Sequence, residues 1–178
     1  ACTIFVLSVA AVGAEEEEEK AVHPHVAGSR MWLAAWQGDI PALKAAIERD
    51  GADVDWRNTD DGEGGSTALM VASKRGNAEA VQVLLKNKAD ANIADTTGGM
   101  TALMHAAAKG KHETIELLLA VEGVDADAKA TGGKYDGKTA LEIAQAGAHL
   151  EAAKVLRKAA PGILGSIASW FSPSKGDE

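Results

Sequence analysis

The chain has 178 residues, 46% of them apolar but only 4% aromatic, with a net charge of −8 and a single cysteine. That length suits one domain or slightly more, and an apolar fraction dominated by Ala, Leu and Val points to a core of closely packed helices. Lys and Arg are not clustered as nucleic-acid binding requires, and the lone Cys2 excludes an intrachain disulfide framework and a cysteine metal cluster.

The chain opens on ACTIFVLSVAAVGA, an apolar run from Ile4 to Val12 followed by small residues of the kind a signal peptidase accepts. The run is too short to cross a bilayer. Two readings stay open for residues 1–14: the hydrophobic region of a signal or transit segment, or a buried or artefactual terminus. The first places the protein in the secretory pathway or an organelle, the second in the cytoplasm. An initiator Met and a basic leading region are missing, consistent with a sequence that starts part-way into a targeting segment. Residues 15–28, with Glu15 to Glu19 and then AVHPHVAGS, read as an acidic solvated linker in which His23 and His25 hold no metal.

The long middle repeats itself. STALMVASKRG at Ser66 to Gly76 recurs as MTALMHAAAKG at Met100 to Gly110 and as KTALEIAQAGA from Lys138, with Thr67, Thr101 and Thr139 in register at spacings of 34 and 38 residues. SRMWLAAWQG, from Ser29 to Gly38, is an earlier copy, giving four units over about 29–66, 67–100, 101–138 and 139–160. Each continues into a second periodic segment: Leu43, Ala46, Ile47; Val81, Leu84, Leu85; Ile115, Leu118, Leu119; and Ala152, Val155, Leu156. The i, i+3, i+4 spacing puts each set on one helical face. One module is therefore helix, glycine stop, helix and polar loop. Between modules, DDGEGG, TTGG and TGGKYDG supply the positive backbone angles of hairpin fingers, the first and third longer than the second.

A period in the thirties carrying TAL at 67–69, 101–103 and 139–141, LLK and LLL at 84–86 and 117–119, and GADVD at 51–55 resembles the ankyrin repeat over residues 29–160. The resemblance implies an all-α solenoid of helix-turn-helix units with finger loops. Several positions depart from the family. Ala68, Ala102 and Ala140 stand where it usually has proline, Ala148 replaces the interhelical glycine of the last unit, and Lys88 stands where Gly51 and Gly123 end the neighbouring helices. A lysine in a left-handed conformation costs about 1 kcal/mol relative to glycine.

The stretch GGKYDGKT, Gly132 to Thr139, also fits the phosphate-loop pattern G-x-x-x-x-G-K-[ST]. That chemistry needs a buried strand before the loop, and the preceding VDADAKAT is polar. Asp136 would place a negative charge among the phosphate donors. Thr139 and Glu142 form T-x-x-E, a capping box that explains the threonine without a nucleotide. His105, His112 and His149 fall on repeat positions, and no catalytic set presents itself. Asp53, Asp55, Asp90, Asp125 and Asp127 recur in the inter-unit loops, which accounts for them without calcium. No catalytic residue, metal ligand or cofactor is assigned.

Ankyrin repeats bind other proteins through a concave groove formed by the first helices and the fingers. Carried onto this sequence, the variable pair in A-A-x-x-G becomes Trp36 and Gln37, Lys74 and Arg75, and Ala108 and Lys109, while finger positions add Trp56, Arg57, Met100, Lys134 and Tyr135. The implied groove is locally basic on an acidic chain and suits a partner protein with an acidic patch and an apolar centre. Trp32 is expected to pack as an end cap. After Pro161, Ile163, Leu164, Ile167, Trp170 and Phe171 form one helical stripe in the tail 161–178, which caps the fourth unit or contacts a membrane or a larger assembly. The reading is thus a non-enzymatic adaptor, scaffold or assembly subunit that binds a partner protein or complex, with no nucleic-acid or small-molecule substrate. Its alternatives are a nucleotide-binding protein or regulated-enzyme fragment built on GGKYDGKT, and a membrane-peripheral scaffold docking through the tail.

Overall fold

The computed structural model describes residues 23–59 and 64–159. The N-terminal apolar run, the glutamate stretch, the tip of the first finger and the tail stripe lie outside the described residues. Within them the chain forms eight α-helices: α1 (Pro24–Gln37), α2 (Ile40–Glu48), α3 (Ala68–Arg75), α4 (Ala78–Lys86), α5 (Ala102–Ala108), α6 (His112–Leu119), α7 (Ala140–Ala146) and α8 (Leu150–Ala159). The helices pair within each unit, and odd-numbered and even-numbered helices stack as two layers. Ala34, Ala35, Ala72, Ala106, Ala107 and Ala144 are buried in the first layer, where small side chains let neighbouring helices approach closely. Leu43, Val81, Leu84, Ile115, Leu118 and Leu156 fill the core from the second.

Helix α1 begins at Pro24, ahead of the expected start at Ser29 and inside the stretch read as linker. Proline at the first helical turn has its φ preset and loses no hydrogen bond there. His23 caps the helix, its Nδ1 accepting the His25 N–H at 3.4 Å, and Ala27, Gly28 and Met31 are buried. The second helices start on equivalent hydrogen bonds, from the Leu43 N–H to Asp39, Val81 to Asn77, Ile115 to Lys111 and Ala153 to His149. They align Ala153, Leu156 and Arg157 of the last unit with the earlier apolar triplets, one residue later than the expected Ala152, Val155 and Leu156. The cause is Arg157, a charged residue in a row otherwise filled by Ile47, Leu85 and Leu119.

The chain passes from first to second helix of each unit through a left-handed residue: Gly38 at φ 77°, Gly76 at 80°, Gly110 at 66° and Ala148 at 56°. The three glycines satisfy a second condition as well. A Cβ at Gly38 would lie 3.3 Å from the Asn77 side chain, at Gly76 2.7 Å from Lys111, and at Gly110 2.7 Å from His149. Each glycine thus accommodates the side chain that follows the equivalent turn in the next unit. Ala148 is exposed, with no described unit stacked beyond it. The departure from glycine falls at the one turn where only the backbone angle is at stake. Lys88, at φ 65°, adopts the same region as Gly51 at 67° and Gly123 at 86°, as the alignment of those loops requires.

Fingers and loops are braced between units. Strands β1 (Arg57–Asn58) and β2 (Ser66–Thr67) pair antiparallel in the first finger, and Ala94 bridges to Thr101 in the second. The Thr96 N–H donates to Gly64 O at 2.8 Å and the Thr131 N–H to Gly98 O at 3.0 Å, linking successive fingers. The recurring acidic residues and Asn92 form a ladder: the Asp90 N–H donates to Asp55 Oδ1 and the Asp125 N–H to Asn92 Oδ1, both at 2.9 Å. Their role is to satisfy loop backbone donors.

Candidate protein-binding surface

The last turns of α1, α3 and α5 carry the paired variable positions, and those helices pack side by side. Trp36 is 40% exposed, an unusual position for so large an apolar ring. The Arg75 guanidinium of the next unit lies over it, 3.9 Å from the ring centroid. At this range a cation is attracted to the face of the indole, a contact worth about 0.5–1 kcal/mol at an exposed site. The structure therefore brings Trp36 and Arg75 together across the first inter-unit boundary. Gln37 and Lys109 are exposed, whereas Lys74 and Ala108 are half-buried. Lys109 repeats the register of Arg75 one helix further on.

The carbonyls under this strip are fixed by the following unit. Asn77 Nδ2 donates to Ala35 O at 2.8 Å and to Trp36 O at 3.4 Å, and the His149 ring contacts Ala108 O at 3.2 Å. The side chains after the second and fourth interhelical turns thus reach back to a carbonyl at the preceding unit's helix end, so the strip is held at both ends by the stacking itself. These contacts give definite structural work to His149 and to Asn77, a residue that the repeat pattern does not single out.

The finger residues divide. Trp56 is half-buried, its ring against Gly28 of α1 and edge-on to His25, with centroids 5.3 Å apart and planes at 85°. It serves to seat the extra turn of α1. Arg57 donates from Nη1 to Ala94 O at 2.9 Å, tying the first finger to the second. Met100 and Tyr135 are half-buried against the core, and the exposed Lys134 ammonium lies 5.1 Å from the Tyr135 centroid. Trp32 is not an end cap. Its Nε1 donates to Ser66 Oγ at 3.0 Å, so the ring faces the first finger rather than the open end.

The second finger contains a lock that sequence reasoning misses. The Asp95 carboxylate, buried, accepts the Gly98 N–H at 2.7 Å and meets His105 Nε2 at 2.8 Å. Burial alone would push its carboxyl up. The His105 hydrogen bond, the Gly98 N–H, the His105 charge and the Met100 backbone together outweigh burial and hold it below the ordinary carboxylate value. The signal available in sequence is Asp95 ahead of Thr-Thr-Gly-Gly, a composition that favours a side-chain-closed turn.

At GGKYDGKT the last three backbone donors are engaged locally. The Gly137 N–H donates to Ala130 O at 2.8 Å, the Lys138 N–H to Tyr135 O at 2.9 Å and the Thr139 N–H to Glu142 Oε2 at 2.9 Å. Thr139 Oγ1 accepts the Glu142 N–H at 3.4 Å, completing the capping box. Gly133–Tyr135 form a short 3-10 turn, and no strand leads into it. The geometry is that of a third finger running into α7. Thr67 caps α3 similarly, but Thr101 makes no capping hydrogen bond.

A family model described as ankyrin repeats in three copies matches residues 31–130 and again 89–163. No curated protein sequence matches the chain.

Proposed function

From the premise that this chain belongs to the ankyrin-repeat family, whose members are in general protein-interaction modules, we propose that it binds a partner protein through the strip running from Trp36 across Lys74 and Arg75 to Lys109. The observation that carries this reading is the exposed Trp36 under the Arg75 guanidinium. Tryptophan and arginine are the residue types most enriched among those that dominate binding energy. A partner segment that places an apolar side chain against the indole and a carboxylate beside Arg75 or Lys109 would use both. Gln37, Met100, Lys134 and Tyr135 are rim positions in this reading, while Trp56 and Arg57 act by holding the first finger in place.

The protein's action is then that of an adaptor or assembly subunit whose chemistry is recognition. The engaged donors of Gly137, Lys138 and Thr139 favour this over nucleotide binding, because a phosphate cradle needs free N–H groups converging on the anion. The test is quantitative capture from native extract by the unmodified chain and by Trp36→Ala. Expected is a partner whose affinity falls by about 2 kcal/mol, roughly 30-fold, in the variant. Equal retention by a normally folded Trp36→Ala chain would remove the strip from consideration.

A further inference from the structure

Among the described residues, the first unit has no unit before it, and positions that later units bury lie open there. Leu33 of α1 is 46% exposed, whereas Val71 and Ile143, at the same place in α3 and α7, are 3% and 0% exposed. Ala42 of α2 is exposed, whereas its equivalents Ala80, Thr114 and Ala152 are buried. With Ala45 these residues line an open groove of about 430 Å³ between α1 and α2. Each later unit stacks on the helix pair before it, so this face of the module is shaped to receive helices.

The charged groups lining the groove are Arg30, Arg49 and Asp50. Arg30 stands where the later units bury Ala68, Ala102 and Ala140. Both guanidiniums share one carboxylate, Arg30 reaching Asp50 Oδ2 from Nη1 and Arg49 reaching Oδ1 from Nε, each at 3.4 Å. The Asp50 side chain is nearly buried while both arginines are largely exposed, so the rim keeps an excess positive charge at the surface. A second copy does not match that charge at either end. Its own first unit repeats the two arginines, and the groove at the far end of the array is lined by Lys154 and Arg157. We propose that the open face of the first unit docks an amphipathic helix of a partner protein, which sets leucine-sized side chains on Leu33, Ala42 and Ala45 and carboxylates against Arg30 and Arg49. Small residues in a groove between two helices leave room for the large side chains of a third, and a guanidinium takes a carboxylate through paired N–H groups. The face is distinct from the strip, whose Trp36 lies under Arg75 of the following unit; Gln37 borders both.

The probe is a labelled synthetic helical peptide with leucines at i, i+3, i+4 and i+7 and glutamates on either side of them, its affinity for the full chain read by fluorescence anisotropy. Leu33→Glu and Arg49→Glu, each first confirmed to melt in urea as the unmodified chain does, are expected to weaken binding by about tenfold or more. The same peptide with lysines in place of the glutamates is expected not to bind. No binding of the acidic peptide, or binding that survives Leu33→Glu and Arg49→Glu but falls with Trp36→Ala, would overturn the proposal. A full chain carrying Glu15→Gln through Glu19→Gln together is expected to bind the peptide as the unmodified chain does. Binding that appears only in that variant would assign the face to the chain's own acidic run and overturn the partner helix.

Discussion

Replacing Lys88 with glycine should make the protein more stable, although it removes a side chain and adds freedom to the unfolded chain. Lys88 ends α4 at φ 65°, and its equivalents Gly51 and Gly123 are glycines in the same left-handed region. A Cβ at either of those glycines would meet nothing within 4 Å, so space is not the constraint at this turn. Only the backbone angle is. An L-residue held there loses about 1–2 kcal/mol. Glycine recovers most of that, less roughly 0.4–1 kcal/mol for the larger entropy of its unfolded state. The expected net gain is about 0.5–1 kcal/mol, and with a urea slope near 2 kcal/mol/M the midpoint should rise by about 0.25–0.5 M. Lys88 is exposed, so its side chain contributes little packing to offset the gain. Equilibrium urea melts of the two proteins measure this directly. An unchanged or lowered midpoint, with the slope preserved, would mean that the left-handed turn is not the source of strain.

Other outcomes follow from the same contacts. Thr139→Ala should lower stability by about 1 kcal/mol in urea melts through loss of the α7 cap, and Lys138→Ala should leave ATP and GTP binding undetectable by calorimetry, as in the unmodified chain. Gly110→Ala should cost more than Gly51→Ala, since the first displaces the His149 ring as well as straining the backbone while the second only strains it; similar losses would contradict the two-condition account of the interhelical glycine. Asp95 has its folded-state pKa depressed, so its stabilising contribution is present above the unfolded value near pH 4 and disappears as pH falls through the lower folded value. Asp95→Asn should therefore be less stable at neutral pH and lose less stability between neutral pH and that acid range, as thermal melts across pH would record.

Much of this architecture is legible in the sequence because it is repeated. The TAL segments fix the first helices, and comparison across units marks Lys88 and Ala148 as occupants of glycine positions, which is where the backbone turns left-handed. What is not repeated is harder to read. Arg157 breaks the apolar row of the outer helices, and the periodic pattern then favours the neighbouring register, one residue early. The start of α1 at Pro24 is hidden because Gly28, just after its first turn, packs against Trp56, a residue from a distant finger. Trp32 and Trp56 are both aromatic residues of the first unit, and sequence does not tell which neighbour each ring faces. The Asp95–His105 pair joins a finger to a helix and has no counterpart in the other units to announce it. Trp36 and Arg75 are readable as members of matching variable pairs in adjacent units, but their stacking in contact depends on the side-by-side packing of α1 and α3.

Recognition through the strip is the central claim, and coupling between Trp36 and Arg75 in partner binding tests it most directly. Partner affinity would be measured for the unmodified chain, Trp36→Ala, Arg75→Glu and the double variant, each first confirmed to melt in urea as the unmodified chain does. If the two side chains form one contact site, each single change weakens binding, Arg75→Glu also slows association in a salt-dependent way, and the double variant loses less than the sum of the two. A captured partner held with unchanged affinity by the folded double variant would contradict the account.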